Sequence, residues 1–154
     1  MSYKTIISID DLKNNLNNDD FLIFDSRCDI KDSGYGIDSY TEGHIPNSIF
    51  IDVDTDLASE KRPGTGRHPL PDPNTFSEKL SHWGMSNSKQ VVVYDDAGGA
   101  FAGRLWWMLK WLGHEAVAVL DGGLNSWVKG GNKLVTTPTV FEKAHFEPCV
   151  QENM

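Results

Sequence analysis

The residues from Gln90 to Gly123 constrain the fold more than any other part of the chain. Val91-Val92-Val93-Tyr94-Asp95 is a β-branched apolar run that ends at a carboxylate. Asp96-Ala97-Gly98-Gly99-Ala100 is a loop of small residues, and the stretch from Phe101 to Gly113 behind it reads as a long helix. A second apolar run, Glu115 to Leu120, ends at Asp121-Gly122-Gly123. The order strand, loop, helix, strand predicts two parallel strands joined by a right-handed crossover. In such sheets ligands gather outside the carboxyl ends of the strands. The Asp95–Ala100 loop therefore occupies the expected place of an active site, yet it contains no Cys, Ser, Thr, His or Lys.

The rest of the chain continues the alternation. Thr5–Ile7 reads as a short strand. Ser8 reads as the cap of a helix that runs through Leu12 and Leu16 and fails at Asn17-Asn18-Asp19-Asp20. Phe21–Phe24 is a buried strand ending at Asp25. Residues 26–43 read as a polar loop with one helical turn near Tyr40. Ser48–Ile51 is the next strand, ending at Asp52. Residues 54–73 carry Pro63, Gly64, Gly66, Pro69, Pro71 and Pro73, and structureless loops of that length are usually functional or disordered. A helix starts at Pro73-Asn74, runs through Phe76, Leu80 and Trp83, and closes at Gly84. Another spans Leu124–Val128 before Gly130-Gly131. About five strands alternating with helices predict an α/β domain over residues 1–131, its sheet mainly parallel with helices on both faces. Residues 132–154 have no helical period and read as an extended tail or inter-domain linker.

Composition narrows the function. The 154 residues suit one domain with a sizeable core. A net charge of −8 argues against nucleic acid or an anionic membrane as partner, though a local pocket can still hold a small anion. No run approaches the ~18 apolar residues of a membrane span. Cys28 and Cys149 form neither a disulfide framework nor a zinc spacing, and fit unpaired thiols in a reducing cytoplasm. The sequence calls for no metal and no cofactor.

Several side chains are candidates for chemistry, each beside a plainer role. His44 is fixed on a short loop between Gly43 and Ile45-Pro46, either as a catalytic contributor or as a loop-bonded structural histidine. Arg67 and His68 can line an anion pocket, or be solvated. Arg104 can contact substrate, or pair with a strand-end Asp. Cys28, its pKa lowered by Arg27, is a possible substitute nucleophile or a bystander thiol. Asp95 and Asp96, with Asp25, Asp52 and Asp121 also at strand ends, can form a metal-binding rim for phosphoryl transfer, or accept turn amides.

Tyr40 to Phe50, with its His four residues after the Tyr and its Ile-Pro pair, resembles the first motif of the rhodanese family of sulfurtransferases, although Asn47 stands where that family usually has Gly. Thr65-Gly66-Arg67-His68-Pro69-Leu70-Pro71, Val91 to Asp96, Arg104-Leu105-Trp106-Trp107 and Val119-Leu120-Asp121-Gly122-Gly123 extend the resemblance over residues 5 to 130. They are similar to the N-terminal half of tandem thiosulfate and 3-mercaptopyruvate sulfurtransferases. Active domains of that family carry a persulfide-forming Cys directly after the Tyr of the central strand; the matching position here is Asp95. The resemblance implies an inactive half whose Asp95–Ala100 loop, Arg67, His68 and Arg104 shape a shared site with a C-terminal rhodanese domain. A small sulfur-containing substrate would act through that domain. It also implies that His44 polarises a Ser of the partner loop, with Asp32 or Asp38 as its carboxylate partner. The rim holding His44, Arg67, His68 and the Asp95–Ala100 loop is then the expected interface, with apolar side chains beside the polar groups. The alternatives are a stand-alone binding or regulatory module and a metal-dependent phosphoryl-transfer enzyme using Asp95.

Overall fold

The computed structural model describes residues 2–66 and 68–154. Five parallel strands, β1 (Ile6–Ile7), β2 (Phe21–Asp25), β3 (Ser48–Phe50), β4 (Gln90–Tyr94) and β5 (Val117–Leu120), make one sheet in the order β1-β5-β4-β2-β3. β4 lies at the centre and is buried at every residue, which is why Val91-Val92-Val93 is a continuous apolar run rather than an alternation. Its side chains still divide by parity. Val91 and Val93 join one core with α3 (Pro73–His82) and α4 (Ala102–Trp111). Val92 and Tyr94 join the other with Leu12 of α1 (Ile9–Asn14) and Leu124 and Trp127 of α5 (Gly123–Lys129). Helices thus cover both faces, as the alternation predicts.

Local chemistry sets most helix ends. The Ser8 side chain accepts the Asp11 amide at the start of α1, and Asp72 accepts the Thr75 amide where Pro73 opens α3. α1 ends at Asn14, short of Leu16. The larger departure is α2, a helix over Tyr35–Glu42 where a loop with one turn is expected. Its inward residues are Gly36 and Tyr40, so no row of large apolar residues marks it. A Cβ on Gly36 would sit 2.2 Å from the Arg27 carbonyl oxygen, so glycine lets the helix rest directly on backbone.

Residues 132–154 are extended and packed against the domain. Val135 exchanges backbone bonds with His44, both 2.9 Å, and the Thr139 hydroxyl donates to the Ser48 carbonyl at 2.6 Å. Ala144 N donates to the Ser81 carbonyl, Phe146 N to the Ser81 hydroxyl, and the Phe146 ring is buried in the α3–α4 core. No helix among the described residues is long and apolar enough to cross a membrane.

Candidate functional site

Asp95 follows β4 and turns its carboxylate back into its own loop. Oδ1 accepts the amides of Ala97 and Gly99, both at 2.9 Å, and Oδ2 accepts those of Phe101 and Ala102 at 2.9 and 2.8 Å. Gly98 and Gly99 have positive φ, which bends Asp96–Ala100 so that these N–H groups converge. The last two donors open α4, so the positive end of that helix adds to the cradle. The Asp121-Gly122-Gly123 motif braces it from the side. Leu124 N donates to the Asp95 carbonyl at 2.9 Å, and a Cβ on Gly123 would sit 2.5 Å from that same oxygen. The site is therefore an anion cradle already filled by the chain's own carboxylate.

That arrangement gives Asp95 a turn-forming role. Four N–H donors occupy both oxygens of Asp95, leaving neither for a metal or for attack on phosphorus. Asp25 is fully buried and bound to Arg27, with Nη2 to Oδ2 at 2.7 Å, and the Tyr94 hydroxyl donates to the same oxygen at 2.9 Å. Burial, then the Asp25 charge, pushes the Tyr94 pKa well up. Asp121 is exposed. No group of three or more His, Cys, Asp or Glu suited to a metal occurs among the described residues.

Around the cradle, Tyr35 at the start of α2 donates its hydroxyl to Asp96 Oδ2, and that bond is the main reason its pKa is raised. Tyr35 was not among the sequence candidates; its only signal is an aromatic among polar and glycine neighbours. His68 Nε2 lies 2.7 Å from Asp54 Oδ1. Arg104 pairs with no strand-end Asp. Its Nε and Nη2 donate to the Leu57 carbonyl at 3.0 and 2.7 Å, and Nη2 also to the His68 carbonyl at 2.8 Å, so it pins the long proline-rich loop onto α4. Arg67 lies outside the described residues. Ile30, Ile37 and Leu70 are exposed apolar side chains on the surrounding loops and α2. A cavity of about 580 Å³ lined by Ile30, Asp54, Glu60 and His68 opens beside them.

Cys28 takes the plainer of its two roles, and His44 departs from the expected rim. Cys28 is no activated thiol. Arg27 is spent on Asp25 and the Gly43 carbonyl, and burial, followed by the charges of Asp54, Asp52 and Asp29, pushes the Cys28 pKa up to about 11. His44 is not presented to the rim. It is fully buried and stacked on Tyr40 at 3.8 Å; Nδ1 lies 2.8 Å from the Tyr40 carbonyl and Nε2 2.9 Å from that of Thr137. The tail roofs it, and neither Asp32 nor Asp38 is its partner. Asp32 instead accepts the Gly34 amide.

Residues 8–130 match the family model described as Rhodanese-like domain. A probable 3-mercaptopyruvate sulfurtransferase of Pseudomonas aeruginosa is 42% identical over 149 residues, which is 96% of this chain and 52% of the relative. The structure of a 3-mercaptopyruvate sulfurtransferase from Leishmania major superposes with a TM-score of 0.86 at 30% identity, over 96% of this chain and 42% of that one. A 3-mercaptopyruvate sulfotransferase from Escherichia coli gives 0.85 at 27% identity, over 98% of this chain and 59% of that one. The chain thus spans between 42% and 59% of the length of these proteins.

Proposed function

The chain belongs to the rhodanese-like domain family, and from that premise we propose that it is the non-nucleophilic half of a tandem sulfurtransferase of the thiosulfate or 3-mercaptopyruvate type. The observation that carries this reading is Asp95 itself. A carboxylate fills the amide cradle at the position the resemblance assigns to the persulfide cysteine. In an active domain such a cradle serves an anionic sulfur, because convergent N–H groups and a helix N-terminus favour negative charge. A carboxylate has no vacant valence for a sulfane sulfur and repels thiosulfate. Nor does either thiol replace it. Cys28 is held protonated near neutrality, and Cys149 sits at the far end of the tail beside Leu112.

On this reading the sulfur-bearing cysteine belongs to a C-terminal rhodanese domain, and the present chain contributes walls. The polar rim of His68, Asp54, Asp96 and Tyr35, with Ile30 and Leu70 beside it, closes over the partner's loop and narrows access of water to the persulfide. The small sulfur-containing substrate acts at the partner's cysteine, and its sulfur passes on to a thiophilic acceptor.

The test is an assay of thiocyanate formation from cyanide with thiosulfate or 3-mercaptopyruvate as donor. The chain alone should not exceed the protein-free rate. Addition of the half of the Pseudomonas aeruginosa relative that lies outside the aligned region should give turnover above that half alone. Turnover by the chain alone, abolished by Cys28→Ala, would overturn the proposal.

A further inference from the structure

A second cavity, of about 650 Å³, opens at the amino ends of β2 and β3, the end of the sheet away from Asp95. Leu22, Ile49 and Trp83 give it an apolar floor continuous with the core. The turn after α1, with Asn17 and Asp19, forms one wall, and the tail from Thr139 to Glu142 forms the other.

The tail is tied down on either side of this cavity and free across it. The Thr139 hydroxyl donates to the Ser48 carbonyl, and Ala144 N donates to the Ser81 carbonyl. Between these ties, no backbone N–H or C=O from Val140 to Lys143 bonds to another group among the described residues. Val140 is 92% exposed, whereas Phe141 lays its ring edge-on to that of His82, with centroids 5.7 Å apart. A span of extended chain in this state offers the row of unpaired donors and acceptors that the open edge of a sheet offers. Pro138 in front of it, which has no N–H to give, and the Ala144 bond behind it confine pairing to Thr139–Lys143.

The charges around the cavity are unbalanced. The carboxylates of Asp19 and Glu142 belong to its lining, and neither has an ion-pair partner among the described residues. Lys89 is the one cation of the lining, and its Nζ donates to the Asp19 carbonyl. An aromatic face near unpaired carboxylates suits a long cationic side chain, which lays its stem on apolar surface and keeps its head on the acidic rim.

We propose that the Thr139–Lys143 span and the cavity beside it form a docking site for an extended, basic peptide segment of another protein. The segment adds itself as a strand along the span. One of its Arg or Lys side chains lies over Trp83 and meets the Asp19 or Glu142 carboxylate. Main-chain bonds supply affinity in this mode, and the side-chain pocket supplies specificity. The net charge of −8 adds attraction at long range. The site stands apart from the function proposed above, since it uses neither the Asp95 loop nor a second rhodanese half.

The probe is the acetylated, amidated peptide Thr-Ser-Val-Arg-Val-Ser-Thr, titrated to millimolar concentration into the whole isotope-labelled chain and followed by amide NMR. Shifts should concentrate at the amides of Val140–Lys143 and at the Trp83 indole. A peptide with Glu in place of its Arg should bind about fivefold more weakly, and the Asp19→Asn/Glu142→Gln variant should lose about as much toward the Arg peptide. Val140→Pro removes an unbonded N–H, so it should abolish the shifts along the span while moving the melting temperature by no more than about two degrees. Absence of shifts along the span at millimolar peptide would overturn the proposal. So would equal affinity for the Arg and Glu peptides. Arginine amide alone binding as tightly as the peptide would show a pocket for a small cation, and strand addition would fall.

Discussion

The Nε2 atom of His44 lies 2.9 Å from the carbonyl oxygen of Thr137, 93 residues further along the chain. With the paired backbone bonds between His44 and Val135, this contact closes the tail over a fully buried imidazole. The histidine organises the tail rather than lining an open pocket, and the folding unit includes residues well beyond the family match at 8–130.

The tail therefore contributes to stability. Phe146 is its deepest anchor, 2% exposed and packed edge-on to His114 with ring centroids 5.8 Å apart. Phe146→Ala should destabilise the chain by about 3–5 kcal/mol, as large-to-small changes of a buried Phe do. Urea unfolding checks this. A loss below about 1 kcal/mol would mean that the tail rides on the domain without supporting it.

How legible was this in the sequence? The parts written in side-chain pattern were readable. β4 shows as an apolar run because both its faces are covered, and the Asp95–Ala100 loop shows because only small residues permit its bend. The tail docks largely through backbone groups at Val135, Ala144 and Cys149, which any sequence carries, and the side chains that fix its path, Thr139 and Phe146, form no pattern. α2 carries no apolar stripe in the sequence for a related reason, since a glycine and a single tyrosine face inward. The burial of His44 depends on both, because its roof comes from the tail and its stacking partner from α2.

Cys28 should be slow to alkylate. With its thiol pushed up to about 11 by burial and the nearby aspartates, almost no thiolate exists at neutral pH. Iodoacetamide at pH 7.5 followed by peptide mass spectrometry should find Cys149 modified and Cys28 intact in the folded chain. The same shift gives a sign for stability. The folded thiol holds its proton to higher pH than the unfolded one, so stability is full below the unfolded pKa of about 9 and falls as pH rises toward 11. Cys28→Ser should flatten that alkaline decline, and an unchanged decline would refute the assignment.

His114 predicts the opposite limb. Burial depresses its pKa, against the bonds to Lys89 and Ala116 and with the Lys110 charge. The unfolded chain thus takes up protons first as pH falls below about 6.5, and stability contributed above that value is lost on the way down. His114→Gln should remove this part of the acid sensitivity, read as a shallower slope of unfolding free energy against pH below 6.5.

Asp95→Asn tests the cradle through stability. An amide side chain keeps one acceptor oxygen and turns an NH2 toward two of the four loop amides. Two orphaned donors at about 1–3 kcal/mol each should make this near-isosteric change costly. Urea unfolding should show a loss of that order, and a neutral result would mean that the loop relaxes without its anion.

Asp95→Cys tests the cradle through reactivity. In a Cys28→Ser, Cys149→Ser background the new thiol is the chain's only one. It stands where the amides of Ala97, Gly99, Phe101 and Ala102 now serve a carboxylate, with the N-terminus of α4 behind them. Those donors favour a thiolate over a thiol, so the alkylation rate should titrate with a pKa below the ordinary ~8.5. Sulfur transfer from thiosulfate should stay low all the same, because a nucleophile restored to one half still lacks the walls of a second. A thiol titrating at or above ~8.5 would show that the loop does not stabilise an anion. Thiocyanate formation by the variant alone at the rate of a complete tandem enzyme would show that one half suffices for the chemistry.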